Sequence, residues 1–339
     1  MKILVTGGSG FLGKQVITSL LGQGNKVVNV DVIPSGLIHQ NLFEQIIDIN
    51  NLNTLHDSDA VVHCAALVPS SKNNKAMIHV NRNGTQNLLE LSLKLKIQRF
   101  IYISSSAVYG KPTSNPVNSS SFMRPFEIYG KSKFMAEEIC KEYLRLGVPI
   151  SIIRPRTILG YSRSGLFSFI FLLVQQGKKI PILSNGKNYY QFIDVDDFVS
   201  LIHEVLKNNS NLEINVGAKE FSTMRSTLEG LIQHAKSEST LINVPKPMLK
   251  IVMALSKLRL LPFAAYQLQM YSESMWFDIK ELDKSVRWVP RYTSVESMVK
   301  SYDTFIQSKI GNEHIDSRLS LHSKPINSPL LRLIIRFLP

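Results

Sequence analysis

The stretch "VTGGSGFLG" (residues 5–13) constrains the fold of this chain more than any other. It completes a β-branched run, "KILVTGG" (2–8), and opens a helical pattern, "FLGKQVITSLLGQG" (11–24), that stops at Gly24. Its glycines fall as Gly8-x-Gly10-x-x-Gly13 and also as Gly7-x-x-Gly10-x-x-Gly13. Between a strand and a helix, such a loop lets the backbone approach a pyrophosphate and points the positive end of the helix at its charge. The next strand, "KVVNVD" (26–31), ends on Asp31, at the spacing of about 20 residues at which an acid meets the adenosine ribose. A carboxylate there accepts hydrogen bonds from the 2′-hydroxyl and repels a 2′-phosphate, which predicts NAD rather than NADP. Asp48, in "IIDIN", ends another apolar run and is placed either at the adenine edge or in a strand-end turn.

The first half continues this alternation. "AVVHCAA" (60–66), "RFIYISSS" (99–106) and "PISIIRP" (149–155) are strand-like, and "NRNGTQNLLELSLKLK" (81–96) and "KFMAEEICKEYLRLG" (133–147) have helical spacing. Continuous apolar strands separated by helices predict a parallel sheet covered on both faces. Beyond Pro155 the pattern loosens, with "GLFSFIFLLVQQGKK" (165–179) helical and "FIDVDDFVSLIHEVLKN" (192–208) a strand turning into a helix. The expected layout is an NAD-binding domain over 1–160, rejoined by 190–205, then a mainly substrate-binding region over 161–308. Residues 309–339 complete it as a polar linker with a short basic apolar tail.

Composition sets limits on function. A chain of 339 residues with 44% hydrophobic content buries a sizeable core. No stretch reaches the roughly 20 apolar residues of a membrane span, and "MKILVTGG" does not have the form of a secretory signal. A cytoplasmic protein is expected, and two cysteines, Cys64 and Cys140, without metal-ligand spacing, fit that expectation and predict no metal. The net charge of +13 suits anionic partners, but it is scattered, so nucleic acid is not expected. Positive charge is concentrated in residues 246–271, which hold Lys246, Lys250, Lys257 and Arg259, and in the tail, where Arg332 and Arg336 stand among Leu330, Leu331, Ile334, Ile335 and Leu338. Either these segments pack on their own domain or a second subunit, or they rest on anionic lipid at the inner membrane face.

With a dinucleotide loop upstream, "EIYGKSKFMAEE" (127–138) acquires a chemical reading. Tyr129 and Lys133 are four positions apart, hence on one helical face. A phenol is a poor base at neutral pH, since its ordinary pKa is about 10. A neighbouring ammonium and an oxidised nicotinamide both favour the phenolate, so Tyr129 can exchange a proton with a substrate hydroxyl. Serines that could orient that hydroxyl follow a strand in "ISSSAVYG" (103–110).

These features together resemble the extended short-chain dehydrogenase/reductase family, and within it the NAD-dependent nucleotide-sugar epimerase/dehydratase group. "TGGSGFLG", Asp31, Asp48, "HCAAL" (63–67), "NRNGTQNLLE" (81–90), "SSSAVYG" and "YGKSK" (129–133) carry the resemblance. So do "IIRPRTILG" (152–160), "QFIDVDDF" (191–198), "INVG" (214–217) and "VRWVP" (286–290), so that it covers roughly residues 1–305. The resemblance implies a Rossmann-type doubly wound parallel α/β sheet with a smaller C-terminal substrate-binding region, and a homodimer. It implies a catalytic Ser105, with Ser104 and Ser106 as flanking alternatives, together with Tyr129 and Lys133. It also implies an NAD site built from Gly7, Gly10, Phe11, Leu12, Gly13, Asp31, Asp48, Ile49, Ala65, Ala66, Asn81 and Pro155, with Tyr129 and Lys133. His63 is read as structural.

The family's 4,6-dehydratases carry an Asp–Glu pair where this chain has Ser106 and Ala107, so elimination is not expected. Many sugar-nucleotide members also carry an Asn in the run that here reads "RPRTILGYSRSG", which has none. Ser106 is a candidate substrate contact, and Arg156, Arg163, Lys187 and Arg287 are candidate diphosphate partners. The expected activity is epimerisation or 4-keto reduction at one carbinol, C4, of a nucleoside-diphosphate sugar used for surface polysaccharide. A hydroxysteroid- or isoprenoid-type dehydrogenase at a membrane surface and a non-catalytic NAD-binding protein are the alternatives.

Overall fold

A computed structural model describes residues 1–69, 73–160, 166–244 and 265–311. Seven strands form the central sheet: β1 Lys2–Thr6, β2 Lys26–Asp31, β3 Leu42–Ile46, β4 Ala60–His63, β5 Arg99–Ile103, β6 Ile150–Pro155 and Glu213–Val216. Every pairing in it is parallel, and the spatial order runs Glu213–Val216, β6, β5, β4, β1, β2, β3. The chain builds outward from β1 in one direction, then returns to lay β4 on its other side. The crevice at the carboxyl ends of β1 and β4 is therefore the switch point at which doubly wound sheets bind ligands.

Alternation along the strands produces two cores, one on each face. Ile3, Val5, Val62, Ile101 and Ile153 pack on one face against α1 (Phe11–Gly22) and the helix Val195–Lys207. Leu4, Val28, Val61, Phe100 and Ile152 pack on the other against α3 (Thr85–Lys94) and α4 (Ile128–Arg145). A further core lies apart from the central sheet, where the helices Leu166–Gln175, Met224–His234 and Ser294–Gly311 enclose the paired strands Ile180–Leu183 and Leu241–Val244.

The structure differs from the sequence reading in several elements. The return to the sheet extends beyond 190–205, because Glu213–Val216 joins it as the edge strand beside β6. Its polar residues conceal it from a search for apolar runs: Glu213 reaches Arg154 at 2.7 Å and Asn215 accepts from the Tyr109 hydroxyl at 2.8 Å. Trp288, Leu282 and Val286, within the stretch expected to bind substrate, also pack into the core of the central sheet. The helix expected from residue 81 starts earlier, as α2 (Asn74–Ile78) capped by Asn73, and passes through a π-helical turn, His79–Gly84, before α3. The tail 329–339 and most of 246–271 lie outside the described residues, Ala265–Ser272 being a described helix. Among the described residues no helix is long and apolar enough to cross a membrane, and no cluster of His, Cys, Asp and Glu could hold a metal.

One buried ion pair ties the elements beneath the crevice together. Arg154, on β6, is fully buried and grips Glu137 of α4, with Nε donating to Oε1 at 2.9 Å and Nη2 to Oε2 at 2.7 Å. Nη2 also reaches Glu213, Nη1 donates to Tyr109 at 3.3 Å, and the Ser104 hydroxyl donates to Glu137 at 2.5 Å. Removing one partner of such a pair leaves a buried charge without compensation. Glu137→Ala is therefore expected to lower the unfolding free energy by about 3–5 kcal/mol, read as a lower urea midpoint.

Candidate active site

The glycine loop is shaped by contacts on both sides. Gly7 has φ 70°, and a Cβ there would lie 2.6 Å from the Ala65 backbone, so only glycine lets β1 and β4 close on each other. A Cβ on Gly8 would strike the Asn29 side chain, and one on Gly13 the Gly7 carbonyl. Gly10 differs: its Cβ would meet only the Gly7 oxygen, at 3.2 Å. That contact is tight but less severe than those at Gly7, Gly8 and Gly13. Gly10 also caps α1 without a side-chain hydrogen bond, and no acid lies in the first turn of that helix. With no side-chain cap and no acid in its first turn, the amide end of α1 fits a pyrophosphate. Phe11 sends its ring into the core below, and Leu12 is partly buried beside it.

At the end of β2, Asp31 accepts from the Ser9 amide at 3.0 Å and the Val32 amide at 2.7 Å. Burial pushes its pKa up, while these backbone donors pull it back towards the ionised form. Asp48 caps the short turn Ile49–Asn51, and its Oδ1 accepts from both the amide and the side chain of Asn50 at 2.8 Å. The turn-residue role is therefore occupied, and Ile49 below it fills the space that Gly84 leaves open.

The loop after β4 is held by a hydrogen-bonded chain. The Ala65 amide donates to the Thr6 hydroxyl at 3.2 Å, which lies 2.7 Å from His63 Nδ1. His63 Nε2 lies 2.9 Å from the Thr85 hydroxyl, which donates to the Asn81 carbonyl at 2.7 Å. Because Thr85 uses its proton on Asn81, His63 donates from Nε2 and accepts at Nδ1. Burial, and then the Lys133 charge, keep this imidazole well below its usual pKa, so it is neutral and structural. Asn81 continues the chain: Oδ1 accepts from the Leu67 amide at 2.7 Å, and Nδ2 donates to the Leu67 carbonyl and to Ser132, each at 2.9 Å. Ser132 in turn donates to the Tyr129 carbonyl at 2.8 Å. Asn81 thus fixes the loop past Ala65 and Ala66 to the helix that carries Tyr129.

Two contacts bring α4 to the serine loop. Gly130 lies so close that a Cβ would be 2.5 Å from the Ala107 carbonyl, and Lys133 Nζ donates to the Ile103 carbonyl at 2.6 Å. The Lys133 ammonium also lies over the Tyr102 ring, 4.2 Å from its centroid. Glu127 caps the helix, accepting from the amides of Tyr129 at 2.8 Å and Gly130 at 2.5 Å. Tyr129 and Lys133 therefore occupy successive turns, with Tyr129 partly exposed and Lys133 buried.

The three serines have separate partners. Ser104 is committed to Glu137, and Ser106 accepts from Arg156 Nη1 at 3.0 Å. Ser105 accepts from the Ala107 amide at 3.2 Å, and among the described residues its hydroxyl proton has no acceptor. Ser105 is therefore the serine able to donate to a substrate oxygen. Pro155 closes β6 at the same end of the sheet. Arg287 lies elsewhere: it is exposed, with φ 52°, next to a Trp288 pinned to Ser200, and no described contact joins it to Ser105, Tyr129 or Lys133. Lys187 is also exposed, and Arg163 lies outside the described residues. The sequence reading overlooked Glu127, Ser132 and Thr85. Only Glu127, an acid at a helix start, left a local signal.

A doubly wound sheet with this loop, this acid and a serine–tyrosine–lysine cluster at its carboxyl edge defines an NAD-dependent enzyme of the short-chain dehydrogenase type. The chain belongs to the NAD dependent epimerase/dehydratase family, whose model matches residues 3–217. It is 36% identical, over 99% of its length and 87% of the relative's, to an uncharacterized protein, y4nG, of Sinorhizobium fredii. It is 28% identical, over 72% of its length and 83% of the relative's, to a UDP-N-acetyl-alpha-D-glucosaminuronate decarboxylase of Bacillus cytotoxicus. Among solved structures, a UDP-glucuronic acid 4-epimerase of Bacillus cereus in complex with UDP-glucuronic acid and NAD superposes with a TM-score of 0.76 at 25% identity, covering 91% of this chain and all of that one.

Burial lowers the Lys133 pKa from its ordinary 10.5 to about 8, against the smaller upward pull of Cys140, Glu137 and Cys64. Below about pH 8 both folded and unfolded chains hold the proton, and the fold carries the full cost of the buried ammonium. Between about 8 and 10.5 the unfolded chain holds a proton that the folded chain has lost, so stability rises with pH. The unfolding free energy of the NAD-free protein, relative to Lys133→Met, is expected to grow by about 3 kcal/mol across that window. Urea titrations of both proteins at a series of pH values measure it.

Proposed function

We propose that this chain interconverts the hydroxyl and the ketone at C4 of a nucleoside-diphosphate sugar, as a 4-epimerase or a 4-keto reductase. One observation carries the reading: Ser105 is the serine with an unassigned proton, and it stands opposite the helix turn bearing Tyr129 and Lys133. NAD, when bound, accepts and returns hydride. The chain's own groups manage the proton. Ser105 donates to the substrate oxygen and orients it. Tyr129 takes the hydroxyl proton during oxidation and gives it back during reduction. Lys133, held by the Ile103 carbonyl and the Tyr102 ring, places positive charge beside that phenol and favours its ionised form. Its remaining donors would reach the nicotinamide ribose.

Ala107 contributes no acid or base, and Ser106 is engaged by Arg156, which supports chemistry at one carbinol over elimination of water. The similarity to a UDP-N-acetyl-alpha-D-glucosaminuronate decarboxylase and a UDP-glucuronic acid 4-epimerase supports the substrate class.

Tyr129→Phe removes the proton-transfer group and leaves the glycine loop intact. It is expected to lower turnover by about 10²–10⁴ on whichever of a panel of UDP-, GDP- and dTDP-sugars the parent converts, with the content of bound NAD unchanged. A parent protein that converts none of them, or a variant that keeps full turnover, refutes the reading.

A further inference from the structure

Two arginines flank Pro155 at the end of β6, and they use their guanidinium groups differently. Arg154 applies its Nε–Nη2 edge to the carboxylate of Glu137, as two parallel hydrogen bonds. Arg156 is 97% buried by the same measure, at 3% exposure, and its amide is pinned to the Val216 carbonyl at 2.8 Å. Its Nη1 donates to Ser106 and lies 3.6 Å from the Met275 sulfur, and its guanidinium carbon stands 4.8 Å from the centroid of the Tyr190 ring. Its Nε and Nη2, the same edge that Arg154 uses, are buried and have no hydrogen-bond partner among the described residues.

This edge asks for an anion. Buried donors on a charged group are costly to leave unpaired, more so than on neutral groups. The aromatic face of Tyr190 offsets some of that cost but accepts no hydrogen bond in the plane of the fork. No acid with a described side chain pairs with this edge; the remaining acids of the sequence are Glu281, Asp283, Glu313 and Asp316. Two parallel N–H groups match two oxygens of one carboxylate or phosphate.

Position selects between these. The fork is anchored on Ser106, the residue next to Ser105, which holds the reacting oxygen in the proposed function. The diphosphate of a nucleotide sugar hangs from C1, across the ring from C4, whereas a carboxyl group on C5 is adjacent to C4. Resting on that proposed function, we infer that Arg156 receives a carboxylate carried by the sugar, so that the substrate is an acidic, uronic-acid-type nucleotide sugar. The edge is shut off from solvent, so receiving the carboxylate requires its surroundings to part, and closure over the pair would then exclude water and strengthen it.

The test uses NAD-loaded protein and three matched pairs: UDP-glucuronic acid with UDP-glucose, UDP-galacturonic acid with UDP-galactose, and UDP-N-acetylglucosaminuronic acid with UDP-N-acetylglucosamine. Affinity and kcat/KM are measured for the parent, Arg156→Met and Arg156→Lys, with UDP alone as a further ligand. The parent is expected to favour at least one acidic sugar over its neutral counterpart by about 10- to 100-fold. Arg156→Met is expected to lose that preference while its affinity for UDP alone stays within twofold, and Arg156→Lys, charged but without the fork, to fall between. A parent that favours neutral sugars, or treats both alike, overturns the inference without recourse to any variant. So does an Arg156→Met protein that loses UDP as strongly as the acidic sugar, since the fork would then serve the diphosphate. If none of the six sugars binds or reacts, the inference falls, and the proposed function falls with it only if the wider panel of UDP-, GDP- and dTDP-sugars also goes unconverted.

Discussion

The Arg154–Glu137 pair is the interaction on which the rest of the site depends. It joins β6 to α4 inside the core, and its satellites, Ser104, Tyr109 and Glu213, recruit the end of β5, the serine loop and the edge strand. Ion pairs exchange a large desolvation cost for a large attraction, so their net contribution to stability is small while their geometry is demanding. Here the geometry is the useful part. With α4 fixed against β5 and β6, Gly130 closes on Ala107 and Lys133 reaches Ile103, and the tyrosine one turn earlier is brought to the serine loop.

A second network does for the cofactor side what the ion pair does for the catalytic side. From the Ala65 amide through Thr6, His63 and Thr85 to Asn81, and on through Ser132 to the Tyr129 carbonyl, every donor named has an acceptor. The chain is neutral throughout, so it is rigid without adding charge next to a dinucleotide. It also gives the π-helical turn at His79–Gly84 a purpose, since that turn carries Asn81, and irregular turns of this kind are often found at functional sites.

Much of this was legible in the sequence because it rests on local rules. A glycine loop between a strand and a helix, an acid at the end of the next strand, and a Tyr-x-x-x-Lys on one helical face are all short-range patterns, as are strands apolar on both faces. What escaped was long-range or polar. The strand Glu213–Val216 carries two polar residues whose partners lie on β6 and in the serine loop, so no periodicity shows them. The resemblance names Ser105, but the partners that occupy its flanking alternatives, Ser104 and Ser106, come from α4 and from beyond β6. Arg287 looked like an anion ligand by residue type, but the fold leaves it exposed beside the helix Val195–Lys207. Arg154 and Arg156, on either side of Pro155, looked alike in sequence, and only their neighbours distinguish a structural residue from one that still needs a partner.

The placement of Glu213–Val216 also bears on how such a protein can be cut and recombined. The chain leaves the sheet after β6, builds part of the substrate side, and comes back to add the outermost strand before leaving again. That strand brings Glu213 to the buried arginine and Asn215 to Tyr109. An excised first half would therefore end with an open sheet edge and a core cation short of one acceptor. The two parts of the chain are interwoven rather than modular, so exchanging the part after β6 between relatives means exchanging a strand of the central sheet with it.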